Sequence, residues 1–292
     1  MATVWQTARR RFGWLDHFSR AVVRYDKLDG GRLAAAVTYY AFFATFALAL
    51  LSFALFGFVL DDPAILPRVE RYLAENLPSL DIQALRDARG TAGVIAFIGL
   101  PLTGWFWVDV LRSSIRAVWG LPEYPGGFFV RLFFDLLVLI GLGLLLAASL
   151  TVAFGSTALV NLLADAIGPG SAPMRWLIAL VGLLLAIGVN TLLSAAILTA
   201  LPRLRMRLRR VIGPALFVAV GLELLKTLGR LYVQRIENNP TYQVVAGAVG
   251  LLVFLNVVNQ LLLFAATLTA TGTNGGVTDL AVRPPVNGPA PA

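Results

Sequence analysis

The chain has 292 residues, of which 58% are hydrophobic and 14% are charged, and its formal net charge is +8. Soluble globular proteins carry about 25% charged residues. Here the charges cluster between long uncharged runs, which is typical of a polytopic membrane protein. The chain has no cysteine and a single histidine. Disulfides, thiolate nucleophiles and Cys- or His-rich metal centres are therefore excluded, and we expect no cofactor.

Residues 1–32 are predicted to form a cytoplasmic amphipathic segment. Its apolar residues recur at helical spacing while arginines occupy the other faces; the apolar positions are Trp5, Ala8, Phe12, Leu15, Val22 and Tyr25. This pattern predicts a helix that lies in the lipid headgroup region. A nucleic-acid-binding arm is disfavoured because the apolar stripe suits a membrane surface. No signal-peptide pattern precedes the first long apolar run, so we expect that run to be an uncleaved anchor.

Six apolar segments satisfy the requirement of about 20 residues for a transmembrane helix. They are spans one to six, near residues 36–60, 91–111, 132–156, 176–201, 211–233 and 244–270. The predicted fold class is an all-α, polytopic membrane protein with six transmembrane helices and an N-terminal amphipathic interfacial helix. The transmembrane domain is predicted to occupy residues 33–272.

Two segments outside the spans have distinct compositions. Residues 61–90 carry six acidic residues against four arginines, with three prolines. They are predicted to form an extracytoplasmic loop of short interfacial helices. Residues 273–292 end in a run rich in proline and poor in large apolar groups. They are predicted to form a disordered cytoplasmic tail.

The distribution of lysine and arginine predicts the orientation. These residues total 16 before span one, between spans two and three, between spans four and five and after span six, against 7 in the alternate loops when Arg230 is counted with them. By the positive-inside rule, both termini should be cytoplasmic. The strongest feature is the loop at 201–210, "LPRLRMRLRR", which has five arginines and no acid. We interpret them as a topology anchor that also contacts anionic headgroups, in preference to a specific ligand site: Arg203, Arg205, Arg207, Arg209 and Arg210.

Span five contains ionisable residues in an apolar run. Glutamate and lysine at the centre of a span cost about 2.5–3.5 kcal/mol each, which nearly cancels the gain from its apolar residues. Glu223, Lys226 and Arg230 follow at i, i+3 and i+7, so one helical face can hold all three. One interpretation is a Glu–Lys pair that faces the bundle interior, with Arg230 reaching the interface. The other is a functional site in which Glu223 couples transport to a proton or an ion. Both stay open.

Spans four and six carry further polar groups. Asn256, Asn259 and Gln260 share one face of span six. They predict interhelical hydrogen bonds or, alternatively, a polar cavity shared with Glu223. Span four has a series at spacing of four that favours close helix packing: Gly182, Ala186, Asn190 and Ser194.

In span one, Tyr39 and Tyr40 lie about two turns beyond Arg32. They are interpreted as an interfacial aromatic belt. The alternative is a hydroxyl group turned inward toward the ionisable pair of span five. Both tyrosines are therefore included in the candidate buried polar site.

Span two ends in "WFWVDVLRSSIRAVWG", which places three charges near its predicted cytoplasmic end. Asp109 is three residues before Arg112, so the two can form an ion pair. Arg112 and Arg116 are long enough to extend their guanidinium groups to the membrane interface there.

The segments "LAAAVTYYAFFATFALALL" (33–51), "LPRLRMRLRRVIGPALFVAVGLELLKTLGRLYV" (201–233) and "NPTYQVVAGAVGLLVFL" (239–255) resemble the YihY/BrkB family of bacterial inner-membrane proteins. That family has an Ala-rich entry before a Tyr pair, then Leu-Pro, a basic loop and a Gly that opens span five. The chain departs from the family pattern at "ATFA" (44–47), "NVVN" (256–259) and "AAT" (265–267). A role tied to the family's terminal acid therefore does not carry over.

The resemblance implies a six-span fold in the bacterial cytoplasmic membrane. The family was formerly mislabelled ribonuclease BN, and transport, including lipid handling, has been suggested for its members. We therefore expect a transporter or lipid-handling protein that is not an enzyme. The expected partners are membrane lipids and a lipid or small-molecule substrate, with no nucleic acid; the oligomeric state is open. The alternative is a membrane scaffold or assembly factor that does not transport.

Overall fold

The computed structural model describes residues 13–59, 82–144, 172–236, 240–273 and 275–281. Within these ranges the chain forms seven helices and two short strands. In chain order they are α1 (Gly13–Lys27), α2 (Gly30–Val59), α3 (Ile82–Trp119), α4 (residues 128–144), α5 (Ala172–Thr199), β1 (Leu204–Met206), α6 (Leu208–Ile236), α7 (Pro240–Thr271) and β2 (Val277–Asp279).

The described residues include five helical segments that are long and apolar enough to cross a membrane. They are Gly30–Leu51, Gly93–Trp119, Leu180–Thr199, Leu208–Gly229 and Val245–Thr271. The predicted class, an all-α polytopic membrane protein, is confirmed. The predicted third span overlaps α4 and continues into residues that the structure does not describe. The count of six spans therefore stays a prediction.

Two compact units make up the chain: residues 1–38 with 108–292, and residues 39–107. The smaller unit holds the last part of α2 and the first part of α3. Within it, the ring of Tyr40 stacks on that of Phe106, with centroids 5.7 Å apart. Gly99 of α3 faces Ala47 of α2, and a Cβ atom there would make an ordinary van der Waals contact with the Ala47 Cβ, at 3.8 Å.

In the larger unit, α1 packs along α7. The rings of Phe18 and Tyr25 both meet Phe264 edge to face, with centroids 5.3 and 5.8 Å away. The helix predicted near the N-terminus is thus present from Gly13, and one of its faces is a tertiary contact. Trp14 on its outer side is 67% exposed. A position in the headgroup region stays a prediction, and Trp5, Ala8 and Phe12 lie outside the described residues.

The turn between α1 and α2 depends on two backbone positions. Asp29 adopts a left-handed conformation with φ of 49°, which short polar residues tolerate better than most. A Cβ atom at Gly30 would lie 2.4 Å from the Tyr25 ring. Glycine therefore allows the chain to turn tightly against this aromatic side chain.

The strands correct the predicted disorder of 273–292. β1 and β2 pair antiparallel, with Leu204 opposite Asp279 and Met206 opposite Val277. Residues 277–279 are therefore ordered, because backbone hydrogen bonds to the loop after α5 compensate for their low apolar content. Residues 282–292 lie outside the described part. α3 begins at Ile82, ahead of the apolar segment that starts at Gly93, and residues 60–81 are not described, so the extracytoplasmic loop at 61–90 stays a prediction.

The contact between α6 and α7 generates a packing prediction. A Cβ atom at Gly221 would lie 2.8 Å from Leu261 Cδ1. Gly221→Leu should destabilise the protein by about 1–3 kcal/mol, because overpacking forces neighbouring side chains to shift. The matched control is Gly229→Leu on the same helix, where a Cβ atom would meet nothing within 4 Å. Equal thermal unfolding midpoints for the two purified variants would contradict this account of the contact.

Candidate functional site

The predicted ion pair of span five is present on α6. Lys226 Nζ donates to Glu223 Oε1 at 2.8 Å, and the same oxygen accepts a 2.8 Å hydrogen bond from Asn190 Nδ2 on α5. The side chain of Glu223 is 19% exposed, whereas that of Lys226 is 45% exposed. The carboxylate thus joins two helices, while the ammonium group reaches the surface of the described residues.

The Glu223 group lies inside an apolar span. At a helical rise of 1.5 Å per residue, Glu223 is roughly 22 Å along α6 from Leu208, and the span continues to Gly229. Buried carboxylates and ammonium groups in such segments are stable when they pair. The group offers a polar ligand both a cationic donor and a carboxylate acceptor. Arg230 follows on the same helix, but its side chain lies outside the described part.

The asparagines of span six bond to α2. Asn259 Nδ2 donates to Thr38 Oγ1 at 3.1 Å, and Asn256 Nδ2 lies 3.5 Å from the same oxygen. Gln260 in turn donates to Asn256 Oδ1 at 2.6 Å. These contacts confirm the interpretation as interhelical hydrogen bonds. The candidate site predicted from sequence therefore divides into an α5–α6 group around Glu223 and an α2–α7 group around the buried Thr38 hydroxyl.

Tyr39 and Tyr40 belong to the smaller unit. Their rings meet edge to face with centroids 5.2 Å apart, and Tyr39 also packs against Phe43. Tyr39 is exposed and Tyr40 is half-buried. The contacts of both rings within the unit are aromatic. An approach of either hydroxyl group to Glu223 stays a prediction.

Sequence reasoning missed a buried charge cluster at one end of the larger unit. Arg112 donates from Nε to Asp135 Oδ1 on α4 at 2.9 Å, from Nη2 to Asp109, and from Nη1 to the carbonyl oxygen of Glu123 at 3.1 Å. The predicted Asp109–Arg112 pair is therefore present. Arg112 is buried, because Asp135 and the loop after α3 supply its acceptors.

Arg116 is the second buried guanidinium of this cluster. It donates to both carboxylate oxygens of Asp279, at 3.1 and 2.7 Å, so the ion pair is bidentate. Its Nε bonds to the carbonyl oxygen of Pro122 at 2.7 Å, and its Nη1 bonds to that of Pro202 at 2.8 Å. Arg116 has no exposed surface. Acceptors from three segments enclose it, and its position relative to the membrane interface stays a prediction.

The five arginines of residues 201–210, of which Arg209 and Arg210 lie in the first turn of α6, differ in their surroundings. The guanidinium of Arg203 lies 4.2 Å from the centroid of the Phe134 ring, and burial lowers its pKa from the usual value. Arg210 donates to Thr269 O, Ala270 O and Gly275 O. The other three are exposed at the surface: Arg205, Arg207 and Arg209.

Arginines also cap helix ends in this region. The Arg210 bonds satisfy carbonyl groups at the C-terminus of α7, and Arg24 Nε donates to Val118 O, near the end of α3, at 2.8 Å. The last carbonyl groups of a helix lack partners within that helix, and a cation near them also interacts favourably with the helix dipole. We call this region the basic end: the last turns of α1, α3 and α7 with residues 201–210 and 275–281.

Asp279 lies at the basic end, outside the spans, and its carboxylate is bonded to Arg116. Burial alone would raise its pKa, but the hydrogen bonds from Arg116 and from the backbone N–H of Ala281, with the positive charges of Arg116 and Arg203, outweigh burial and lower it. The carboxylate is therefore the favoured form. In the described part of the chain, no group of three or more His, Asp or Glu side chains is placed to hold a metal ion.

Comparison with known proteins identifies the family. The profile of the family described as Virulence factor BrkB matches residues 21–284. The chain belongs to this family. The match confirms the resemblance seen in the sequence, and it extends from α1 past β2. No solved structure matches the chain.

Two relatives of this BrkB-family protein cover nearly its whole length. It is 28% identical over 290 residues to "Inner membrane protein YhjD" of Escherichia coli (strain K12), with 93% of this chain and 86% of the relative covered. It is 29% identical over 310 residues to an uncharacterized protein of Dickeya dadantii (strain 3937), with 96% and 94% covered. The relative's name and the apolar helices indicate a multi-pass inner-membrane location. The orientation of the termini stays a prediction.

The Arg116–Asp279 pair generates a stability prediction. Asp279→Ala should destabilise this BrkB-family protein by about 3 kcal/mol, because it leaves a buried guanidinium without its charge partner. The thermal unfolding midpoint of the purified protein measures this effect. The control is Arg116→Met combined with Asp279→Ala, which should be less destabilised than the sum of the two single variants. Additive losses would show that the ion pair does not cause the effect.

The lowered pKa of Asp279 generates a pH prediction. A carboxyl group whose pKa is lower in the folded state stabilises that state above its unfolded pKa of about 3.9. This stability is lost as the pH falls through the folded value. The difference in thermal midpoint between the wild type and Asp279→Asn should therefore be constant above about pH 5 and should shrink below about pH 4. A difference that does not change between pH 7 and pH 3 would contradict the assignment.

Proposed function

We propose that this BrkB-family protein is a transporter or lipid-handling protein, and that Glu223, Lys226 and Asn190 form its polar site. The observation that supports the proposal is an ammonium group, 45% exposed, on the surface of an apolar span. Such a group is costly in hydrocarbon and is a functional candidate by default. A polar ligand that contacts it would offset the cost.

The hydrogen bonds of the Glu223 carboxylate depend on the relative position of α5 and α6. Glu223 bonds to Lys226 within α6 and to Asn190 on α5 through one oxygen. A relative movement of α5 and α6 would break the Asn190 bond and leave the Glu–Lys pair intact. A ligand that accepts a hydrogen bond from Lys226 would compete with Glu223 for that ammonium group, and the displaced carboxylate would lose its fixed position against Asn190. Either event links ligand binding to the packing of two spans, which is what transport requires.

A scaffold or assembly factor is the second candidate. It is favoured by the apolar surface of α1, where Trp14 is 67% exposed and Val23 is 51% exposed. Exposed aromatic and aliphatic residues outside the spans are suited to a protein partner or to the membrane surface. In this case the Glu223 pair would only fix the packing of α5 and α6.

The transport and scaffold functions predict different results when Glu223 and Lys226 are replaced by uncharged residues. Glu223→Gln with Lys226→Met removes both charges and keeps the approximate volume, which buried pairs often tolerate without loss of stability. The protein is reconstituted in nanodiscs, and its thermal midpoint is measured with phosphatidylglycerol, phosphatidylethanolamine, sodium or potassium ions as probes. The proposed function predicts that one probe stabilises the wild type selectively. The double variant and Asn190→Leu should lose that response.

The matched control is Gln260→Leu, which removes a polar group from another span and leaves Glu223 untouched. It should keep the selective response. Identical probe profiles for the wild type, the double variant and Asn190→Leu would contradict the site and favour the scaffold.

A further inference from the structure

A cavity of 520 Å³ lies in the larger unit, where α1 meets the end of α3. Its lining combines apolar residues, which we call the floor, with three basic side chains from one helix, which we call the rim. The apolar residues are Val23, Leu28 and Ala117, and the basic residues are Arg20, Arg24 and Lys27. The volume lies within the range of about 300–1,000 Å³ that is typical of small-molecule sites. The cavity is a separate feature from the Glu223 group, which lies inside a span.

The three cations converge because of their helical spacing. Arg20, Arg24 and Lys27 follow at i, i+4 and i+7 on α1, so they share one face. Arg24 is held in place by its bond to the Val118 carbonyl oxygen. Arg20 has a 3.3 Å contact with Asp16 that is half-exposed to solvent, and an exposed pair of this kind contributes little. Like charges at this spacing repel one another, and an anion at the rim would remove that cost.

The position and lining of the cavity identify the anion. Ala117 belongs to the last turn of the apolar segment Gly93–Trp119, so the cavity opens at the end of a span. A ligand there can place a charged group on the rim and an apolar chain on the floor. Free phosphate or a nucleotide would leave the apolar floor unused. Basic pockets at the ends of transmembrane helices are suited to phospholipid headgroups.

We propose that this cavity binds an anionic phospholipid. Its phosphate contacts Arg20, Arg24 and Lys27, and its glycerol and first acyl methylene groups contact Val23, Leu28 and Ala117. Guanidinium groups bind phosphate through paired charge-assisted hydrogen bonds. The bound lipid would join α1 to the end of α3. The proposal does not depend on transport through the Glu223 site.

The test uses the full chain in nanodiscs and in native mass spectrometry. The probe is phosphatidylglycerol, compared with phosphatidylcholine. We expect the wild type to retain phosphatidylglycerol after detergent extraction and to show a higher thermal midpoint with it. Arg20→Gln with Lys27→Gln should lower its occupancy at least fivefold. Arg24 is left unchanged because its bond to Val118 holds the end of α3.

The matched control is Arg32→Gln with Arg131→Gln. This control removes two positive charges, as the test variant does, from positions that do not line the cavity. It also breaks one exposed i,i+3 ion pair, that of Arg32 with Asp29. It should retain the lipid. An equal loss in both double variants would overturn the site, because it would indicate general surface attraction.

A second variant tests the apolar floor without a charge change. Ala117→Phe fills the floor and should also lower the occupancy of phosphatidylglycerol, while Glu223→Gln should not. Unchanged occupancy in Ala117→Phe would overturn the lipid assignment. Soluble glycerol phosphate that raised the thermal midpoint as much as the lipid would also overturn it, since the site would then bind a free phosphate ester.

Discussion

The burial of two guanidinium groups is the constraint on which the basic end depends. Arg112 and Arg116 lie one turn apart on α3, and a buried guanidinium without acceptors would cost several kcal/mol. Their acceptors come from α3 itself, the loop after it, α4, the loop after α5 and β2. The surrounding charges balance, with three arginines and three aspartates: Arg112, Arg116, Arg203, Asp109, Asp135 and Asp279.

This arrangement explains why an otherwise helical protein contains a stable pair of three-residue strands. An isolated strand pair of this length is not stable in water. Here β2 also carries Asp279, which is bonded to Arg116, and the loop that leads to β1 supplies the Pro202 carbonyl group to the same side chain. The strand pair therefore completes the coordination of a buried cation, and the cation in turn holds the strands together.

The polar groups of the larger unit thus differ in how firmly they are held. At the basic end, each buried guanidinium has several acceptors on different segments. Within the span, one hydrogen bond from Asn190 joins the Glu223 carboxylate to α5, and Lys226 reaches the surface. Networks with many partners open cooperatively and seldom, whereas a single bond breaks at low cost. Fewer hydrogen bonds therefore hold the Glu223 carboxylate to a neighbouring helix than hold either guanidinium group at the basic end.

Ion pairs between residues close in the sequence could be predicted, whereas those between residues far apart could not. The pairs Asp109–Arg112 and Glu223–Lys226 follow from i,i+3 spacing, and most spans follow from hydropathy. The partner Asp135 is 23 residues from Arg112, and Asp279 is 163 residues from Arg116. No local pattern encodes either distance, so solvent exposure was the default expectation for both arginines. Arg210 and Arg205 carry the same charge within residues 201–210, yet Arg210 caps α7 through the Thr269 and Ala270 carbonyl groups while Arg205 is exposed. The positive-inside rule counts these residues as equal. Only the fold distinguishes an arginine that orients a span from one that ends a helix.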